Sequence, residues 1–219
     1  MNSKMLCSAL ALVAVTATAA HAGDSGWYVQ AGVASVAFNE STSLTAAGGA
    51  VPSSNVDVSS ELALGVGIGY FFNPNVSVIG IIGTPPTSSI TGEGTIAGLD
   101  VGEVTYGPAI LAANYHFNPQ GRLQPFVGAG ISYTMVFDES DGSVNDLSID
   151  NAFGGVLRAG FDYLIDDKQG VFFSANKLIT KTTITGTVSP AVPGFGGAPV
   201  VAEVDLNPWI LHAGYTYRF

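Results

Sequence analysis

Outside the first 22 residues the chain has two histidines, His116 and His212, and these are the side chains best suited to acid–base chemistry. Such a role needs a partner within hydrogen-bond reach. No G-x-S-x-G turn, zinc-ligand spacing or phosphate-binding loop accompanies them. No catalytic residue and no cofactor is therefore assigned. The stretch DESDGSVND (138–146) offers carboxylates that suit calcium, but its spacing misses the EF-hand pattern. It reads as a solvated acidic loop, and no metal site is expected. What remains is a set of polar residues inside otherwise apolar segments: Arg158, Asp162, Lys177 and His212.

The segments carrying them alternate with period two. In ELALGVGIGYFF (61–72), Leu62, Leu64, Val66, Ile68, Tyr70 and Phe72 share one face, and Ala63, Gly65, Gly67 and Gly69 the other. Side chains of a strand alternate between its two faces, so this is a greasy stripe backed by a bare one. The same pattern recurs in 123–138, 150–164 and 201–219, and less cleanly in 27–38, 76–86, 104–117 and 171–187. Eight such segments, most of the 9–11 residues or more that a membrane strand requires, predict an all-β, eight-stranded antiparallel transmembrane β-barrel. Its connections alternate too. NPN (73–75), NPQGR (118–122) and DDKQG (166–170) are short, whereas 39–60, 87–103, 139–149 and 188–200 are long. Short periplasmic turns and longer extracellular loops follow.

Composition agrees. Only 11% of residues are charged, against 47% hydrophobic, whereas a soluble domain carries about 25% charged residues. Residues 1–22 pair an early Lys4 with an apolar run and end in Ala20-His21-Ala22, the layout of a signal peptide, leaving 23–219 as one barrel domain. No later apolar run reaches the length of a spanning helix, so a closed barrel is the architecture left for a membrane. The acidic balance, seven Lys and Arg against 17 Asp and Glu, disfavours nucleic acid as a partner.

The stretches QPFVGAGISYTMVFD (124–138), GFDYLID (160–166), LNPWILHAGYTYRF (206–219) and YGPAILAANYHF (106–117) resemble the outer-membrane protein W family of small eight-stranded barrels. The resemblance implies a bacterial outer-membrane location, a narrow and largely apolar lumen, and passive passage of small hydrophobic molecules. The terminal alternation Tyr215, Tyr217, Phe219 is similar to the signal read by barrel-assembly machinery. Outer-membrane lipid, lipopolysaccharide and a small hydrophobic solute are the other expected partners.

Within such a lumen, Arg158, Asp162, Lys177 and His212 form a predicted polar cluster, either a satisfied plug or a gate. Phe126, Val156, Phe173, Ile179 and Ile210 form a predicted apolar lining. The inward glycines either leave a bore for a slim ligand or permit sheet bending. Pro85, Pro86 and Pro108 fall on neighbouring strands near the outer rim. Proline cannot donate to a ladder, so this wall is a candidate lateral gate, or simply the place where two strands end. The long connections contain no Lys or Arg and form an acidic rim; Phe195 in 189–199 is a candidate mouth plug. The alternative to a conduit is a structural or receptor barrel with a closed lumen, whose acidic loops contact ions, envelope partners or phage.

Overall fold

A computed structural model describes residues 26–38, 41–46, 48–51, 54–192 and 196–219. The predicted signal segment 1–22 and Phe195 lie outside them. The alternating segments become strands: β1 (Trp27–Ala37), β5 (Glu61–Asn73), β6 (Val76–Gly83), β8 (Asp100–His116), β9 (Leu123–Asp141), β11 (Ala152–Leu164), β12 (Gln169–Val188) and β14 (Trp209–Arg218). Each pairs antiparallel with its neighbour, and β1 pairs with β14, so these eight form a closed ring. Pairs followed once round the ring lead from Trp27 through Tyr70, Val78, Ala113, Ala129, Leu157, Lys177 and Trp209 to Ala37, a stagger of ten residues. That stagger in an eight-stranded barrel tilts the strands by roughly 40° and leaves an interior just wide enough for side chains.

The outer wall is the greasy stripe. Leu62, Leu64, Val66 and Ile68 are all exposed, Leu62 to 71%, while Gly65, Gly67 and Gly69 are buried. Aromatic pairs Trp27–Tyr70, Tyr115–Phe117 and Tyr217–Phe219 ring the periplasmic end. There the amphipathic rings match the lipid headgroup level. Phe219 N–H donates to Trp27 O at 3.0 Å, tying the last residue to the first strand. The short turns are locked by side-chain caps. Asn73 Oδ1 accepts the N–H groups of Asn75 and Val76, and Asp166 Oδ1 those of Lys168 and Gln169.

The long connections differ from their prediction as loops. They contain β2 (Ser41–Ala46), β3 (Gly49–Ala50), β4 (Ser54–Val58), β7 (Thr87–Gly94), β10 (Val144–Ile149) and the start of β13 (Pro199–Asp205), which runs on into the predicted strand. With the outer ends of β8, β9 and β12 these build a collar beyond the membrane ring, with its own apolar core of Val56, Ile90, Val101, Val104, Ile184 and Val204. The predicted strand 201–219 is consequently two strands, separated at Leu206-Asn207-Pro208. The predicted strand 76–86 ends at Gly83, before Pro85 and Pro86.

Candidate functional site: a layered lumen with a break in its wall

The lumen is built in two unlike halves. Its periplasmic half is filled. Asp162, 1% exposed, accepts Gln30 Nε2 at 3.0 Å and Arg218 Nη2 at 3.4 Å. Arg218 also donates to Gln124 Oε1 at 2.6 Å, and Gln124 Nε2 in turn donates to Pro119 O and Gly121 O in a periplasmic turn. One step outward, His116 stacks between Phe71 and Phe126, and its Nε2 lies 3.1 Å from Ser77 Oγ, which also meets Tyr28 OH at 3.2 Å. Arg158 Nε donates to Asn176 Oδ1 at 2.7 Å, and its guanidinium lies over the Phe126 ring. His212 packs edge-on against Phe172 with centroids 4.7 Å apart.

The inward glycines here are not a bore. A Cβ added at Gly69 would sit 2.3 Å from Tyr28 Cζ, and one at Gly65 would sit 2.7 Å from His212 Nε2. The space that each glycine frees is occupied by a large side chain from another strand, Tyr28 of the adjacent β1 and His212 of β14, one strand further on. This close approach, rather than an open channel, is what requires glycine at those two positions.

Above the plug come Ile79, Ile81, Ile110, Val156, Leu178 and Ile210, then empty apolar space. A chamber lined by residues including Phe38, Val58, Val104, Tyr106, Val136 and Val204 encloses about 670 Å³, counting space open to solvent. A second, of about 730 Å³ on the same measure, lies among Leu44, Ile96, Leu99, Val101, Val188 and Val200 in the collar. Val56 and Ile184 line both, so the two are continuous neighbours. A third crevice shares Val36, Pro108 and Ile210 with the first chamber. Its walls include inward residues Ile81, Ile110 and His212, and also Leu64 and Ile82, which face outward. It therefore passes from the lumen into the barrel wall.

The wall is thin there for a backbone reason. The β6–β8 ladder runs from Val76↔Tyr115 to Ile81↔Ile110, and β8 is paired again by β7 only from Thr105↔Thr87. In between stand Pro85, Pro86 and Pro108, brought together as predicted. Thr84 turns away to bond Leu64 of β5 through both its N–H and its hydroxyl, and Tyr106 N–H meets Pro86 O at the outer end of the break. On the outward side, Phe137 and Pro85 cover Gly107.

Of the predicted cluster, Arg158, Asp162 and His212 are buried in the plug, whereas Lys177 is not part of it. Lys177 faces outward, over the Trp209 ring and bonded to Asn207 O. Phe173 and Ile179 share that outward face, at 37% and 56% exposure, while Phe172 and Leu178 point inward. The cause is one error of phase. Consecutive Phe172-Phe173 fits either face, and the register Ser174↔His212 and Asn176↔Ile210 fixes even-numbered residues of β12 inside. Phe126, Val156 and Ile210 are inward as expected, Phe126 within the plug rather than along a chamber. Asp162 finds its cation in Arg218, which the sequence places on the inward face of the last strand but which was not grouped with the cluster. Gln30, Gln124 and Asn176 also line the plug, each in phase with a glycine on its own strand, Gly32, Gly128 and Gly170, and His116 joins them from β8. Tyr215, Tyr217 and Phe219 line the outer face near the periplasmic end, Tyr215 being 44% exposed.

A closed ring of this stagger, with apolar side chains outward and polar ones inward, defines a small outer-membrane β-barrel. A solved structure of OprG from Pseudomonas aeruginosa shares the fold, with a TM-score of 0.81 at 22% identity over 90% of this chain and 97% of that one. The chain belongs to the OmpW family, whose model matches residues 22–219. The dibenzothiophene metabolism operon protein PahQ of Pseudomonas aeruginosa is 36% identical over 171 residues, 77% of this chain and 80% of the relative. The bilayer structure of outer membrane protein AlkL aligns at 30% identity and a TM-score of 0.70, covering 93% of this chain and 94% of that one. The protein is thus a bacterial outer-membrane barrel.

Proposed function

We propose that the barrel gives small hydrophobic molecules passive passage from the outside, through the collar chambers, and sideways into the membrane at the break between β6 and β8. The observation that carries this reading is the crevice that joins lumen residues Ile110 and Ile210 to outward residues Leu64 and Ile82 past Pro86 and Pro108. An apolar solute gains about 25 cal/mol for each Å² of apolar surface it removes from water, and the chambers offer it almost no polar lining. The plug below offers charged and polar groups and packed rings rather than apolar space, so the downhill route is lateral. The operon named for the PahQ relative concerns dibenzothiophene, a compound of the apolar class that such chambers suit.

In this reading residues 1–22 direct export and 23–219 are the barrel domain. Tyr215, Tyr217 and Phe219 present the assembly signal to barrel-assembly machinery, and the outer wall and rim meet lipid and lipopolysaccharide. The reading contains no chemical step. His116 packs between Phe71 and Phe126 inside the plug, away from the route, and His212, packed edge-on against Phe172, borders the crevice. The test is to place cysteines at Thr84 and Ala109, on opposite sides of the break, and join them with a short bifunctional thiol reagent. Uptake of an apolar probe into proteoliposomes falls at least tenfold on cross-linking if exit is lateral. Unchanged uptake rejects the lateral route.

A further inference from the structure

We infer that the plug holds a small monovalent anion at Arg158. The charged groups of the plug are two guanidiniums, Arg158 and Arg218, and one carboxylate, Asp162. The carboxylate is bonded to Gln30 and Arg218. Arg158 is 3% exposed and keeps an Asn176 oxygen on Nε and the Phe126 ring, 5.5 Å away, under its guanidinium carbon. Among the described residues, neither its Nη1 nor its Nη2 has a hydrogen-bond partner, and the ion pairs are Arg218–Asp162 and Lys181–Asp205, so Arg158 has none.

Two requirements are therefore open at one place: N–H groups without acceptors, and a surplus positive charge, since the one carboxylate of the plug is bonded to Arg218 and Gln30 and faces two guanidiniums. Burying an unpaired charge is costly unless it is both bonded and neutralised. Neutral acceptors meet only the first requirement. Asn114 Oδ1 is one such acceptor, itself unpartnered and on the same ladder row as Arg158 with Gly128 between them. An anion meets both requirements. The Phe126 ring and the Asn176 amide packed on Arg158 favour a small ion, and a single surplus cation limits it to one charge. A polar cleft lined by Gln124, Arg122 and Arg218 opens between the periplasmic turns, on the far side of the Asp162–Arg218 layer from Arg158. The site is independent of the transport reading, because it lies below the apolar chambers.

The experiment uses the refolded barrel in detergent, with chloride as the probe. Thermal unfolding is compared in sodium chloride and sodium gluconate at equal ionic strength, for the unaltered protein, Arg158→Met and Lys177→Met. The expected result is a Tm about 3 °C or more higher in chloride, retained in Lys177→Met and lost in Arg158→Met. If Arg158→Met does not fold, chloride-35 NMR line width on the unaltered protein decides. Broadening above the detergent blank that bromide competes away supports the site. Equal Tm in the two salts, an undiminished chloride effect in Arg158→Met, or a line width equal to the blank overturns it.

Discussion

The two ends of this barrel solve the same packing problem in opposite ways. At the periplasmic end, inward glycines let Tyr28 and His212 lean across the sheet, and charged groups from β11 and β14 meet in the middle. At the outer end, valines and isoleucines dominate the inward face, with Phe38, Tyr106, Thr134, Thr180 and Thr182 among them, and empty space is left between them. The same eight-stranded ring runs through both, extended on the outside by the collar strands. The difference lies in which side chains fill it: polar groups that must find partners draw together, whereas branched apolar side chains line a wall without closing the gap. A barrel of eight strands is thus shut to water at one end and receptive to apolar solutes at the other.

That contrast can be broken most severely at the plug. Replacing Asp162 with Ala leaves Arg218 and Arg158 without a carboxylate in the lumen, and removing one partner of a buried pair costs about 3–5 kcal/mol. Thermal unfolding should show that loss. Gly69→Ala drives a methyl group into the Tyr28 ring and should destabilise by about 1–3 kcal/mol, the usual range for overpacking. The same substitution at Gly80, which has no atom closer than 4.0 Å to its added Cβ, should be nearly silent.

These glycines mark the limit of what the sequence could reveal. Period two was enough to find the eight ring strands, their outward stripe and the burial of Arg158, Asp162 and His212. It could not say whether a bare inward position is empty, because that depends on which side chain another strand aims at it. Strand β12 was misread where two phenylalanines adjoin, and Lys177, Phe173 and Ile179 went to the wrong face with it. Most collar strands are not legible because they are short and, in β2 and β7, rich in Ser and Thr, while β13 falls within the predicted strand 201–219 but pairs with the distant β2. The proline break was legible, since the missing N–H is a property of the residue itself.

Smaller effects sharpen the outer half of the comparison. Phe137 lies outside Gly107 and Pro85, over the break. Phe137→Ala should speed release of a bulky apolar probe several-fold, with less effect on a slim one, as measured by uptake into proteoliposomes. Lys177→Met, on the outward face, should change neither the plug nor uptake, and its effect on stability should stay within about 0.5 kcal/mol.

The central claim is that the path through this barrel is apolar and leaves through the wall, while the end facing the periplasm is closed. Flux through proteoliposomes tests it most directly, with an apolar tracer, a small sugar and potassium ion compared against protein-free vesicles. The account predicts faster entry of the apolar tracer and no added permeability to the sugar or the ion. Passage of the sugar or the ion, or an apolar tracer that enters no faster with the barrel present, would contradict it.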